Sequence, residues 1–287
     1  MWAEAIIIRD VHVGDVAEVV ANLCMEANYN LGRDVLDGLR KALETETSPN
    51  GRDILEQLLQ NAGIAAEERL PICQDTGFAV VFLDLGQDVH LVGGDLYEAV
   101  NDGVRRGYER GYLRKSIVNH PFVRVNSGDN TPAVIHVKIV PGDKIRLVVA
   151  PKGGGSENMS AVKMLNPTDG PQGAKEFVLD TVRRAGSNAC PPLVVGVGIG
   201  GTMEKVTLLA KEALLRDLGK ASAVPDIARL EAELLGEINR LGIGPQGLGG
   251  RVTALAVHIE IYPTHIASLP VAVNLNCHVA RHREAVI

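Results

Sequence analysis

The amino-acid sequence predicts an α+β fold, with an N-terminal helical layer followed by mixed, largely antiparallel sheets flanked by helices. Three observations carry that expectation. Apolar residues recur at helical spacing through the first 70 residues, the texture turns β-rich at Pro71, and beyond it helices gather in blocks while strands come partly as a hairpin. At 287 residues the chain can bury a sizeable core without a disulfide or metal to hold it together. A single domain over 1–287 is expected, divided into a helical layer at 1–70 and an α+β part at 71–287.

The elements follow in order. Val16, Val19, Val20, Leu23 and Cys24 share one helix face, and Val35, Leu36, Leu39 and Leu43 mark a second helix. A third spans Ile54 to Leu59, with Ser48 placed to cap it and Pro49 in its first turn. Phe78 to Leu85 reads as a strand, after which Gly93-Gly94-Asp95 opens a helix through Leu96, Val100 and Val104. Ala133 to Val140 alternates as a half-buried strand does, and Lys144 to Ala150 repeats the pattern after Pro141-Gly142-Asp143, so a hairpin is predicted. There follow a glycine-rich stretch "PKGGGSEN", a helix from Gly173 to Arg184, a buried strand "PLVVGVGIGG", helices at Met203–Leu215 and Asp226–Leu241, and strands at Val252–Tyr262 and Val271–Asn276.

Composition narrows the function. A net charge of −6 with 3% aromatic residues provides neither a basic footprint nor stacking platforms, so no nucleic-acid partner is expected. Met1-Trp2-Ala3-Glu4-Ala5 lacks the pattern of a signal peptide, and no apolar run approaches the roughly 20 residues that span a bilayer. A cytoplasmic protein without a membrane partner is expected. Cys24, Cys73, Cys190 and Cys277 are far apart and form no C-x-x-C pair, which in a reducing compartment leaves core packing, metal ligation or catalysis.

Three of these cysteines share a setting. Cys73 in "ICQDTG", Cys190 in "SNACPP" and Cys277 in "NLNCHV" each lie between an element and a polar, Gly- or Pro-marked connection, whereas Cys24 sits on the apolar face of a helix. Three thiolates suit zinc or an iron-sulfur cluster. A cubane normally takes four cysteines, so three leave one iron without a protein ligand, open to act as a Lewis acid. The three glycines of "PKGGGSEN" allow backbone N–H groups to approach an anion, although neither a dinucleotide nor a Walker A spacing is met. "GVGIGG" is read as a tight strand-to-helix turn. Asp75, two residues from Cys73, and His265, twelve before Cys277, are the acid-base candidates. His90, His120, His136, His258, His278 and His282 are assigned structural or surface roles.

With these residues assembled, the sequence resembles the alpha part of the class I (iron-sulfur) fumarate hydratase and tartrate dehydratase family. The resemblance rests on "PICQDTG", "RVNSGDNTPAVIH", "PKGGGSENMSA", "SNACPPLVVGVGIGGT" and "HIEIYPTHIASLPVAVNLNCHVAR". It implies a [4Fe-4S] cluster on Cys73, Cys190 and Cys277, catalytic roles for Asp75 and His265, and substrate contacts from Gln74, Arg114 and Gly154. It further implies a beta subunit on a separate chain that completes the site, a homodimer of the alpha-beta unit, and a small dicarboxylate substrate. Reversible hydration of fumarate to malate is the expected reaction and L-tartrate dehydration the alternative. A zinc enzyme on the same cysteines and a non-catalytic cluster-carrying subunit are the rival classes.

Overall fold

The computed structural model describes residues 8–287, so the reading of Met1 to Ala5 lies outside the described residues. In chain order the elements are β1 (Arg9–His12), α1 (Val13–Tyr29), α2 (Arg33–Thr45), α3 (Pro49–Glu68), β2 (Phe78–Gly86), β3 (Val89–Val92), α4 (Leu96–Arg110), β4 (Val134–Val140), β5 (Ile145–Lys152), α5 (Gly154–Asn158), β6 (Ala161–Leu165), α6 (Gly170–Ala185), β7 (Leu193–Gly200), α7 (Met203–Ala213), α8 (Pro225–Asn239), β8 (Ala254–Tyr262), β9 (Leu269–Asn276) and β10 (Arg283–Val286). The class is α+β, as expected. Of the described helices none is long and apolar enough to cross a membrane. The chain divides into two units: the first takes residues up to Asn30, Ile64–Lys152 and Arg281–Ile287, the second Leu31–Gly63 and Gly153–Ala280.

In the first unit α1 and α4 bury Val16, Val20, Leu23 and Cys24 with Val100, Val104 and Tyr108, over Val81, Leu83, Leu147 and Val149 of the sheet. The predicted apolar face of α1 is the one used. Asp95 caps α4 by accepting from the Glu98 N–H at 2.9 Å. The sheet runs β10-β5-β2-β4, and β1 pairs in parallel with β3 beside it.

The predicted hairpin does not form. β4 and β5 do not pair; β2 lies between them, parallel to β4 and antiparallel to β5. The reason is burial. Val80, Val81 and Leu83 of β2 are buried and need neighbours on both sides, whereas Val134, Val137 and Ile139 of β4 are exposed and suit an edge. Pro141-Gly142-Asp143 carries the chain past the end of β2, where the N–H groups of Gly86, Gln87 and Asp88 donate to Lys144, Val140 and Gly142 oxygens at 2.8–3.0 Å.

In the second unit the sheet order is β6-β9-β7-β8. Its core joins Phe177, Val178 and Val182 of α6 and Leu234 and Ile238 of α8 to Val195, Val197, Val257, Ile259 and Val273 of the strands. Ser48 caps α3 as predicted, its hydroxyl accepting from the Gly51 N–H at 3.2 Å. The reading of "GVGIGG" as one turn is too simple. Gly196 and Gly198 lie within β7, where a Cβ would come within 2.2 Å of the α7 carbonyl oxygens of Ala210 and Val206. They bring the helix onto the strand, and only Gly200 and Gly201 make the turn. The short strands β1, β3, β6 and β10 have too few residues for an alternation to be legible in sequence.

Candidate functional site

The Cys73 loop belongs to the first unit and runs from the end of α3 to β2. It has no regular structure of its own, so its backbone groups need partners from elsewhere. The Ile72 N–H donates to the Asn28 carbonyl at 2.9 Å, and the Tyr108 hydroxyl reaches the carbonyl oxygens of Thr76 at 2.7 Å and Gly77 at 3.1 Å. Arg281 donates from Nη2 to the Asp75 carbonyl at 2.6 Å. The Cys73 sulfur accepts from the Asp75 N–H at 3.4 Å and lies 3.4 Å from Gln74 Oε1. Asp75 Oδ1 accepts from the Gly77 N–H at 2.9 Å, which fixes one oxygen of its carboxylate. Gly77 has φ +74°, and a Cβ there would come within 2.8 Å of the Lys152 main chain. Only glycine fits.

Arg114 stands on the irregular segment after α4. The residue is exposed, but its carbonyl accepts from the Thr76 hydroxyl at 2.8 Å, so the segment is tied to the Cys73 loop. The structure therefore brings Cys73, Gln74, Asp75 and the Arg114 main chain into one cluster of the first unit.

In the second unit Cys190 and Cys277 come together. Cys190 follows a single 3-10 turn in a left-handed conformation, φ 53°, and its carbonyl accepts from the His278 N–H at 3.2 Å, one residue past Cys277. Gln246, also left-handed at φ 52°, donates from its main-chain N–H and its Nε2 to the Pro191 carbonyl at 2.8 and 2.9 Å. The same amide nitrogen lies 3.1 Å from His278 Nδ1. The glycine-rich stretch holding Gly154 forms the short helix α5. Glu157 of that helix accepts from Lys211 Nζ at 2.6 Å and from Asn274 Nδ2 at 2.9 Å, while the Ser160 hydroxyl accepts from the Leu275 N–H at 3.1 Å. The bonds from Asn274 and Leu275 fasten the Gly154 turn to β9, which ends one residue before Cys277.

His265 lies elsewhere in the same unit, lining a cleft of about 520 Å³ with Met164, Gly201, Lys205, Tyr262 and Ser268. Its Nδ1 accepts from the Ala267 N–H at 3.1 Å, which puts the proton of the neutral ring on Nε2. Among the described residues no three His, Cys, Asp or Glu side chains form a ready metal site.

The four thiols differ as their settings in the sequence suggest. Cys24 is fully buried in the α1–α4 packing, and burial pushes its thiol up to about 12, so it stays protonated and inert. Cys190 is exposed, Cys73 and Cys277 are partly so, and none of the four is in a disulfide. Cys73, Cys190 and Cys277 are each an accessible thiol on a turn at an element end, the kind of donor a soft metal takes, and the buried Cys24 is not.

Sequence reasoning missed Tyr108, Asn130, Gln246 and Arg281. Tyr108 reads as one more apolar position on α4, Asn130 lies in "RVNSGDNTPAVIH" but carries no spacing that singles it out, and Gln246 stands in a stretch that reads only as a loop. Arg281 carried a signal, as it closes the segment "NLNCHVAR".

The chain is of the hydro-lyase class: the fumarate hydratase (Fumerase) family profile matches residues 17–286. The chain belongs to the fumarate hydratase and tartrate dehydratase family and is of its alpha-subunit type. It is 44% identical over 268 residues to a Methanocaldococcus jannaschii protein named "Putative L(+)-tartrate dehydratase subunit alpha", covering 91% of this chain and 94% of that one. It is 35% identical over 269 residues to the L(+)-tartrate dehydratase subunit alpha of Escherichia coli (strain K12), covering 92% and 88%.

Proposed function

We propose that this chain is the alpha subunit of a two-subunit hydro-lyase that removes water from a 2-hydroxy dicarboxylate, with L-tartrate ahead of the malate-fumarate pair. The observation that carries the order is the 44% and 35% identity, over more than nine-tenths of the chain, to two alpha subunits named for L(+)-tartrate. Sequence reasoning put fumarate first, and the family description keeps it as the second reading.

Cys73, Cys190 and Cys277 would hold a [4Fe-4S] cluster, which supplies an iron without a protein ligand as a Lewis acid for loss of the hydroxyl group. The protein's residues do the rest. Arg114, exposed on its segment, holds a substrate carboxylate through a forked pair of N–H donors. Gln74 and the backbone N–H near Gly154 add neutral donors. Asp75 and His265 handle the proton on the hydroxyl side, Asp75 oriented by its bond to the Gly77 N–H and His265 presenting Nε2–H. The two units act as one domain over 1–287 in this reading, inside an alpha-beta unit that dimerises in the cytoplasm.

Removal of the proton on carbon is assigned to the beta subunit. The relatives' names as alpha subunits support such a partner, and so does exposed apolar surface close to the proposed residues. Tyr112 is 90% and Phe122 88% exposed on the segment that carries Arg114, and Ile266 beside His265 is 91% exposed.

The test is anaerobic co-expression with the beta chain, followed by iron and sulfide counts and two assays. Conversion of L-tartrate to oxaloacetate with a higher kcat/KM than hydration of fumarate supports the order given. The reverse ranking restores fumarate. A colourless protein with stoichiometric zinc, or a brown heteromer inactive on both substrates, ends the reading.

A further inference from the structure

We infer that Asn130 is a positioning residue of the proposed site, a strap that sets the Arg114 segment against the loop carrying Cys73 and Asp75. The inference rests on the hydro-lyase reading and adds a residue to it.

Asn130 is fully buried, with 0% of its surface exposed, yet it lies in irregular chain between α4 and β4. A buried amide is costly unless its bonds are made, and both ends of this one are used. Nδ2 donates to the Gly77 carbonyl at 3.1 Å, at the end of the Cys73 loop, and Oδ1 accepts from the Ser116 N–H at 2.7 Å, two residues after Arg114. One side chain thus joins the two stretches that carry Asp75 and Arg114. A second link runs parallel to it, the Thr76 hydroxyl to the Arg114 carbonyl at 2.8 Å.

The backbone at Asn130 is shaped for the task. Its φ is +64°, the left-handed region that asparagine tolerates better than most residues. Asp129 braces it from the preceding position: Oδ1 accepts from the Thr131 N–H and hydroxyl at 3.0 and 2.7 Å, and Oδ2 accepts from Arg105 Nε at 3.1 Å. The Tyr108 hydroxyl meets the same Gly77 carbonyl from the other side. The Gly77 oxygen therefore receives two donors, and the Asn130 side chain that supplies one of them also holds the Ser116 N–H with its other end.

Displacing a binding group by about 1 Å costs on the order of 100-fold in rate or affinity. With Asn130 truncated, Arg114 keeps its chemistry and loses its place, so substrate binding should suffer before turnover does. The experiment uses the alpha-beta holoenzyme with L-tartrate and compares Asn130→Gly, Arg114→Ala and the double variant. Glycine keeps the left-handed backbone without strain, so the variant removes the side-chain bonds alone. Asn130→Gly should raise KM about 10-fold or more with kcat changed less, at unaltered iron and sulfide content. In the Arg114→Ala background it should add little, because the strap acts through the arginine.

If Asn130→Gly does not assemble, Asn130→Asp takes its place, since the carboxylate still accepts from Ser116 but cannot donate to Gly77. An unchanged KM in Asn130→Gly, or effects that multiply fully in the double variant, overturns the inference while leaving the hydro-lyase reading intact. An unchanged KM in Arg114→Ala removes that arginine from the site and the inference with it. Absence of hydro-lyase activity in the wild-type holoenzyme is the distinct result that strikes the reading itself.

Discussion

The two cysteine-bearing regions differ in the balance of bonds that hold them. In the first unit the Cys73 loop is irregular chain, held by side chains that arrive from distant sequence: Tyr108 from α4, Asn130 from the connection before β4, and Arg281 from the stretch before β10. In the second unit main-chain bonds to the Cys190 and Pro191 carbonyls hold the two cysteine turns, with left-handed residues at Cys190 and Gln246 that bend the backbone so its own groups meet and side chains from Gln246 and Ser160 in support. The difference teaches where each region is vulnerable. The first should respond to deletion of polar side chains, the second to changes in backbone preference.

The largest effects test whether the regions serve one centre. Cys73→Ser, Cys190→Ser and Cys277→Ser should each reduce anaerobic turnover to background and lower the iron and sulfide counts. Cys24→Ser should keep both and lose about 1–2 kcal/mol of stability, because a hydroxyl replaces a buried thiol. Turnover that survives Cys190→Ser but not Cys73→Ser would mean that only the first unit carries the chemistry.

Next in size is Gly77→Ala. The new Cβ would sit within 2.8 Å of the Lys152 backbone at φ +74°, which neither strand can relieve. A loss of about 3 kcal/mol in urea unfolding is expected, the combined cost of left-handed strain and overpacking. A near-neutral result would show that the loop is not clamped against β5.

How much of this was legible in the sequence follows from the same contrast. Local signals were readable: the cap at Ser48, the opening of α4 at Asp95 and the apolar face with Cys24 each depend on residues within a turn of one another. The separation of Cys24 from the other thiols was readable too, since helical periodicity reports burial. The insertion of β2 between β4 and β5 was not, because a hairpin signal describes the nearest neighbour and says nothing of a strand that takes its place. Nor were Asn130 and Gln246. Their bonds span 53 and 55 residues, to Gly77 and Pro191, and no spacing rule connects positions so far apart.

Gln246 sharpens the second half of the comparison. Gln246→Ala removes the side-chain bond to the Pro191 carbonyl and keeps the left-handed strain, so it should cost about 1–2 kcal/mol. Gln246→Gly loses the same bond but relieves the strain, and should be the more stable of the two by about 1 kcal/mol. Equal melting temperatures would show that backbone conformation does not govern this region.

The most gradual expected effect is on acid stability, and here the two units should behave alike. Burial by itself would raise the Asp129 carboxyl in the first unit. The Thr131 hydroxyl and N–H and the Arg105 guanidinium outweigh it and hold the group at about 2, against an ordinary 3.8. Burial likewise opposes ionisation of Glu46 in the second unit. The N–H groups of Ser48, Val252, Arg251 and Thr47, at 2.8–3.0 Å, prevail and keep it below its ordinary 4.5. Both folded values are depressed, so each group's contribution is fully present above its unfolded value and is lost as the pH falls through the folded one. Melting temperature should therefore decline from about pH 4.5 downward through Glu46 and from about 3.8 towards 2 through Asp129. Asp129→Asn and Glu46→Gln should each start less stable near neutrality, on the order of 1–2 kcal/mol, and show a shallower acid slope. A slope unchanged by either substitution would assign the acid lability to other carboxylates.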